Sequence, residues 1–271
     1  MDVEAVQTLA PEWRAFSPRA TRLVYAARSD AGRVRTSNED SLEFDPETGL
    51  LVLADGMGGC NGGEIASAMA LNIVLNEFRQ YPLTLPLDDG AGSGLSHASM
   101  RLCTAIAKAN REIFQLSLLR NELAGMGTTL VAALFCGARV TIVSIGDSRV
   151  YRMRQGHFEQ LTVDHTVLQE QLDCGMITPE QARLAGSRGL ITRALGVQAG
   201  VEVDVQEQPV MPGDVFLLCS DGLFDMMDDT EIQFEIEHAD GDLDSAAQHL
   251  IDAANHKGGY DNISLILARA V

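Results

Sequence analysis

Leu50-Leu51-Val52-Leu53-Ala54-Asp55-Gly56 is a wholly apolar run that stops at a carboxylate and a glycine. A short apolar run bounded by turn residues reads as a strand covered on both faces, because a half-exposed strand would alternate apolar with polar. The pattern recurs in Ile142-Val143-Ser144-Ile145-Gly146-Asp147-Ser148 and in Phe216-Leu217-Leu218-Cys219-Ser220-Asp221-Gly222. Gly259-Tyr260-Asp261-Asn262-Ile263 sets a further aspartate at a strand end, and Asn38-Glu39-Asp40 adds an acidic pair.

Working outward, strands are expected at 23–29, 41–44, 50–54, 128–135, 139–145, 148–154, 201–208, 215–220 and 262–268. Helices are expected at 64–78, with Ile65, Met69, Ile73 and Phe78 on one stripe, and at 96–119, with Leu102, Ile106, Ile113 and Leu116. Two more are expected at 230–237 and 243–255. Tight connections fall at Cys136-Gly137-Ala138 and Gly146-Asp147, and Cys136 and Cys219 sit in apolar runs as core residues. Residues 164–196 break the pattern with short helical pieces, one starting near Pro179, and read as an insertion lying over the surface. Residues 1–20 carry no clear periodicity and contain Pro11 and Pro18, so they read as an N-terminal extension to a domain at 21–271. The elements do not alternate strand and helix. That order implies an α+β fold with helices packed outside one or two antiparallel sheets.

Composition narrows the function classes. The 271 residues are 46% hydrophobic and 21% charged, enough to fill a sizeable core. Lys and Arg number 20 against 38 Asp and Glu, a net charge of −18, which disfavours nucleic acid and anionic lipid as partners. The longest apolar stretch, 130–138, is far short of the ~18 residues of a membrane span. The start, Met1-Asp2-Val3-Glu4, is acidic and carries no secretory signal pattern. Cys60, Cys103, Cys136, Cys174 and Cys219 are scattered without a CxxC pair, which fits a reducing cytoplasm.

A carboxylate at the end of a core strand is partly desolvated and costly unless it is paired or bound to a metal. Lys and Arg are too few around these positions to pair all of them. Any single Asp-Gly is also a common hairpin turn. Recurrence after buried strands is what favours a shared site for a hard cation with oxygen ligands. The chain has no Cys followed six positions later by Arg, no Gly-Lys-Ser/Thr and no HExxH. Covalent catalysis therefore has little support, whereas hydrolysis by metal-activated water needs only carboxylates and divalent ions.

The segments Arg35-Thr36-Ser37-Asn38-Glu39-Asp40, Asp55-Gly56-Met57-Gly58-Gly59, Gly62-Gly63-Glu64-Ile65-Ala66-Ser67 and Gly127-Thr128-Thr129 stand in order. They are followed by Gly146-Asp147-Ser148-Arg149, Thr192-Arg193-Ala194-Leu195-Gly196, Ser220-Asp221-Gly222-Leu223-Phe224-Asp225 and Asp261-Asn262-Ile263-Ser264. The ordered set, spanning about 22–270, resembles the metal-dependent serine/threonine protein phosphatases (PPM, type 2C) in their bacterial form. The resemblance implies a four-layer α-β-β-α sandwich of two antiparallel sheets flanked by helices, with a flap at 164–196 beside a cleft holding Mg²⁺ or Mn²⁺. By matching position, Asp55 should bridge two core ions, the Gly56 carbonyl should bind one, and Asp221 and Asp261 should hold the other. Asp147 with Asp221 would form a third, weaker site, and Arg35 would grip the substrate phosphate through its fixed fork. Glu39 and Asp40 cannot both point the same way on an extended strand. One is expected to reach a metal through water while the other orients neighbours. The chain departs from the bacterial pattern at Ala185-Gly186-Ser187-Arg188-Gly189, where His-Pro and Arg-Asn are usual, and at Cys60, where a histidine is usual. Both departures bear on substrate engagement.

The resulting expectation is hydrolysis of phosphoserine and phosphothreonine in proteins by a metal-bridging water. The partners would be phosphorylated proteins and a cognate Ser/Thr kinase, the enzyme a cytoplasmic monomer. A non-catalytic binding or sensor module on the same fold is the competing reading; retention of Asp55, Asp221 and Asp261 speaks against it. An acidic two-metal nuclease conflicts with the charge.

Overall fold

The computed structural model describes residues 22–58, 62–81, 94–185 and 190–271. The expected extension at 1–20, Cys60 and the atypical 186–189 stretch lie outside the described residues. In chain order the elements are β1 (Leu23–Asp30), β2 (Asp40–Asp45), β3 (Leu50–Met57), α1 (Gly62–Gln80) and α2 (His97–Leu119). A 3-10 turn at Asn121–Leu123 leads to β4 (Gly127–Thr128), β5 (Leu130–Cys136), β6 (Arg139–Ile145), β7 (Arg149–Arg154) and β8 (His157–Gln160). Then come α3 (Val167–Asp173), α4 (Pro179–Ala185), β9 (Asp204–Pro209), β10 (Val215–Cys219), α5 (Asp221–Phe224), α6 (Asp229–Glu237), α7 (Leu243–His256) and β11 (Ile263–Ala270).

The strands form two antiparallel sheets, ordered β1-β11-β10-β7-β8 and β2-β3-β5-β6-β9, with β4 paired to β3. Alternation along the central strands, each covered on both faces, explains the apolar runs of β3, β5 and β10. Leu51 and Leu53 point between the sheets with Val131, Phe135, Phe216, Leu218 and Ile266. Leu50 and Val52 point the other way, onto Ala70, Val74, Phe78, Leu102 and Ile106 of α1 and α2. Leu217, Leu265 and Leu267 of the other sheet meet Ile232 of α6 and Leu250, Ile251 and Ala254 of α7 in the same manner. The result is the expected four-layer α-β-β-α sandwich. Buried aliphatic side chains contribute ~1.5–3 kcal/mol each, so all three apolar layers count in the stability.

Some local expectations need correction. The face of α1 on the sheet is Ala66, Ala70, Val74 and Phe78, whereas Ile65 is exposed and Met69 and Ile73 are only partly buried. Small side chains let α1 approach β3 closely, which displaces the larger ones to the rim. Cys219 is buried, but Cys136 is only partly so, because it sits where β5 enters its turn. The expected strand at 128–135 is split into β4 and β5, and β8 and α5 add to the expected elements. Helix α2 starts after Ser96, whose side chain caps the backbone N–H of Ser99.

Candidate metal centre

The carboxylates converge at one end of the sandwich. Asp40 and Asp55 are directly paired across β2 and β3, Asp221 opens α5 after β10, and Asp261 precedes β11. Asp147 sits in the turn between β6 and β7.

Backbone bonds fix Asp55 in place. Its N–H donates to Thr129 Oγ1 at 3.0 Å, and its carbonyl accepts from Thr128 Oγ1 at 2.8 Å and Thr129 N–H at 2.9 Å. Gly56 N–H donates to the Glu39 carbonyl at 3.2 Å, and a Cβ on Gly56 would come within 2.2 Å of the Gly63 carbonyl. The start of α1 thus packs directly on Gly56. A Cβ on Gly63 would fall 2.2 Å from Glu39 Oε2. Glu39 and Asp40 do diverge. Glu39 reaches toward the start of α1, whereas Asp40 turns inward and accepts from Ser220 Oγ at 2.9 Å.

Asn262 straps the loop that carries Arg35 and Glu39. Its Oδ1 accepts from Glu39 N–H at 2.9 Å, and its Nδ2 donates to the carbonyls of Ala31 and Ser37 at 3.1 and 2.8 Å. Arg35 is exposed at the rim and donates from Nη2 to Asp261 Oδ2 at 2.6 Å. The guanidinium expected to grip phosphate therefore stands beside an expected metal ligand. An ion pair this open to water is worth little by itself and leaves the fork free to rearrange.

The electrostatics are those of a crowd of like charges. Burial, then the neighbouring charges of Asp40, Asp221, Asp147 and Asp261, push the Asp55 carboxyl well above the usual carboxylate range. One side of Asp55 opens to the cleft, but the carboxyl group itself lies deep among protein atoms. Asp221 is raised well above that range by burial, then by Asp147, Asp225, Asp261 and Asp40. Asp40 is pushed up to about 6 by burial, partly offset by hydrogen bonds from Ser264, Ser220 and Asp55. Asp147 is also pushed up to about 6, by burial and by Asp164. Burial raises Glu39 as well, against the pull of Arg35.

Whether this set suits a divalent cation is tested by its unmet bonds. Asp40 Oδ1, Asp147 Oδ1 and Asp221 Oδ1 are buried and have no hydrogen-bond partner. Buried carboxylate oxygens left over in this way match the all-oxygen donor set of Mg²⁺ or Mn²⁺. Among the described residues no three His, Cys, Asp or Glu side chains close on a single point as they stand. Mg²⁺ keeps several of its waters and takes only one or two carboxylates, so a spread set is compatible with it.

Several residues of the site were not assigned from sequence. Thr128, Thr129, Ser220 and Asn262 lie inside the quoted motifs; Ser220 bonds the Asp40 carboxylate, and the others hold the backbone of Asp55 and Glu39. Asp225 adds to the field on Asp221 and Asp147. Their signal was their place beside an assigned aspartate.

The family pattern described as Protein phosphatase 2C matches residues 31–246. The serine/threonine phosphatase stp of Listeria monocytogenes serotype 4b (strain F2365) is 37% identical over 243 residues, 89% of this chain and 93% of that protein. The serine/threonine protein phosphatase PstP of Mycobacterium tuberculosis (strain CDC 1551 / Oshkosh) is 40% identical over 249 residues, 92% of this chain and 45% of that protein. Among solved structures, the catalytic domain of PstP in complex with two manganese ions superposes with a TM-score of 0.78 at 38% identity, covering 93% of this chain and 99% of that one. Stp1 from Staphylococcus aureus superposes with a TM-score of 0.83 at 30% identity, covering 96% and 99%. With two-layered sheets, an acidic strand-end cluster and these likenesses together, the chain belongs to the protein phosphatase 2C family.

Proposed function

We propose that Asp55, the Gly56 carbonyl, Asp221 and Asp261 hold the core metal ions, with Asp147 and Asp221 facing a third. The observation that carries this is the set of buried, unbonded oxygens on Asp147, Asp221 and Asp40 within one acidic field. The chain is a metal-dependent protein serine/threonine phosphatase, and its cofactor is Mg²⁺ or Mn²⁺. When bound, the ions supply an activated water and offset the negative charge of the phosphoryl oxygens.

The chain's own residues do the rest. Arg35, at the open rim, exchanges its bond to Asp261 for the phosphate oxygens and orients the phosphoryl group with its planar fork. Asp40 stays inside as an orienting group between Asp55 and Ser220, and Glu39, just before β2, lays its carboxylate against the start of α1. Asn262 keeps the Arg35 loop and Asp261 in register, so phosphate and metal groups stay aligned.

Phosphoproteins are the substrates, and we read the enzyme as the counterpart of a Ser/Thr kinase, since its products are the free hydroxyls such a kinase modifies. Every proposed ligand lies between residues 55 and 261, which supports 21–271 as the catalytic domain, and we read the enzyme as a monomer. Among the described residues no helix is long and apolar enough to cross a membrane. Cys103, Cys174 and Cys219 form no disulfide, which supports a reducing cytoplasm. The test is phosphate release from a phosphothreonine peptide by chelated protein before and after Mn²⁺ is restored. Release that depends on Mn²⁺ is expected; no release with Mn²⁺ would favour a binding module.

A further inference from the structure

His165, between β8 and α3, lies outside the motifs used so far. Its side chain is 8% exposed and is committed on both edges. Gly146 N–H donates to Nδ1 at 3.0 Å, so Nε2 carries the ring hydrogen and donates to Asp204 Oδ2 at 3.0 Å. The His165 N–H donates to the Gly146 carbonyl at 2.9 Å. One residue therefore holds both the N–H and the C=O of Gly146.

The next residue is Asp147, whose Oδ1 is buried without a hydrogen-bond partner. A carboxylate oxygen with no bond of its own is aimed by its backbone. That backbone has little freedom: Gly146 has φ +98°, and a Cβ there would meet Thr129 Cγ2 at 2.6 Å. Thr129 is the residue that also anchors Asp55. On its other side His165 is tied to the segment after α4. The His165 carbonyl accepts from Thr192 N–H at 2.8 Å, Thr166 bridges Ile191, and Arg193 Nη1 donates to Asp204 Oδ1 at 2.7 Å.

We infer that His165 is a positioning residue that aims Asp147 at the metal site through Gly146 and links that aim to the segment 191–193 that follows α4. The inference rests on the reading of Asp147 as a ligand. Groups that orient metal ligands typically change metal affinity by 10–100-fold when removed, without touching the ion themselves.

Two amides separate the two edges of the ring. In His165→Asn the side-chain carbonyl stands near Nδ1 and can still accept from Gly146. In His165→Gln the amide stands near Nε2, keeps the bond to Asp204 and loses the one to Gly146. The experiment is Mn²⁺ calorimetry on the chelated full-length protein, with melting curves of each variant and Asp147→Asn alongside. Asp147→Asn and His165→Gln are expected to weaken the same, weakest Mn²⁺ step by roughly tenfold or more, with His165→Asn within about threefold of wild type. Equal loss in both amides, or the reverse order, would overturn the acceptor role. Loss in Asp147→Asn with none in His165→Gln would overturn the inference while leaving the ligand reading intact. No change in Asp147→Asn would remove the ligand reading and the inference with it.

Discussion

Asp55 is ringed by Asp40, Asp147, Asp221 and Asp261, and burial plus these charges raise its carboxyl well above the usual range. A raised carboxyl contributes stability that is present when protonated and lost as pH rises through its folded pKa. At neutral pH the metal-free protein therefore bears the repulsion as a cost. Asp55→Asn keeps the shape and removes the charge. Its chelated form should melt higher than chelated wild type, by roughly 2–4 °C per kcal/mol relieved, while Mn²⁺-dependent turnover is lost. A lower melting temperature would mean that Asp55 is held by bonds rather than strained by charge. Arg35 lies at the opposite extreme, exposed and paired with Asp261. Arg35→Ala should lower kcat/KM chiefly through KM, by an amount equivalent to about 1.5–3 kcal/mol. Calorimetry should find Mn²⁺ affinity little changed; a large loss would show that Arg35 organises Asp261 instead.

Among the elements, those that pack on both faces were the legible ones. The largely apolar, buried runs of β3, β6 and β10 lead up to Asp55, Asp147 and Asp221, so these three stood out in the sequence. β8 has only Phe158 as an apolar residue, stacked on Tyr151, and so carried no alternation to detect. α5 begins on Asp221 itself and was hidden behind an Asp-Gly turn signal. The straps made by Asn262 and His165 join residues far apart in sequence, which no local pattern encodes. The flap was visible as an interruption, and its helix α3 buries none of its residues. Such a helix has little core of its own and a low local unfolding free energy. Replacing 169–187 with a short linker, which keeps His165, should spare Mn²⁺ binding and p-nitrophenyl phosphate hydrolysis while changing preference among phosphopeptides. Equal losses on both substrate types, in a variant that still melts cooperatively, would show that the segment serves catalysis rather than selection.

Over the whole molecule a net charge of −18 is borne partly on the surface and partly in one buried cluster, and pH separates the two. Asp40 and Asp147, each pushed up to about 6, are joined by the more strongly raised Asp55 and Asp221. Glu207, held at about 2 by bonds from Ser96 and Ser99 that outweigh its burial, changes only in strong acid. Between pH 7 and 5 the folded state thus takes up protons that the unfolded chain does not, and the chelated protein should melt higher as pH falls. Mn²⁺ affinity should move oppositely, because ligands must be deprotonated to bind. Calorimetry and melting across that window check both signs, and parallel trends would contradict the cluster. The central claim is that these carboxylates exist to hold metal for phosphate hydrolysis, and Asp221 is the one proposed to face both a core ion and the third. Mn²⁺-dependent phosphate release from a phosphothreonine peptide, measured for wild type and Asp221→Asn, tests it directly. The account expects wild type to turn over and Asp221→Asn to lose nearly all activity with its melting curve still cooperative; near-normal Mn²⁺-dependent release by the folded variant would contradict it.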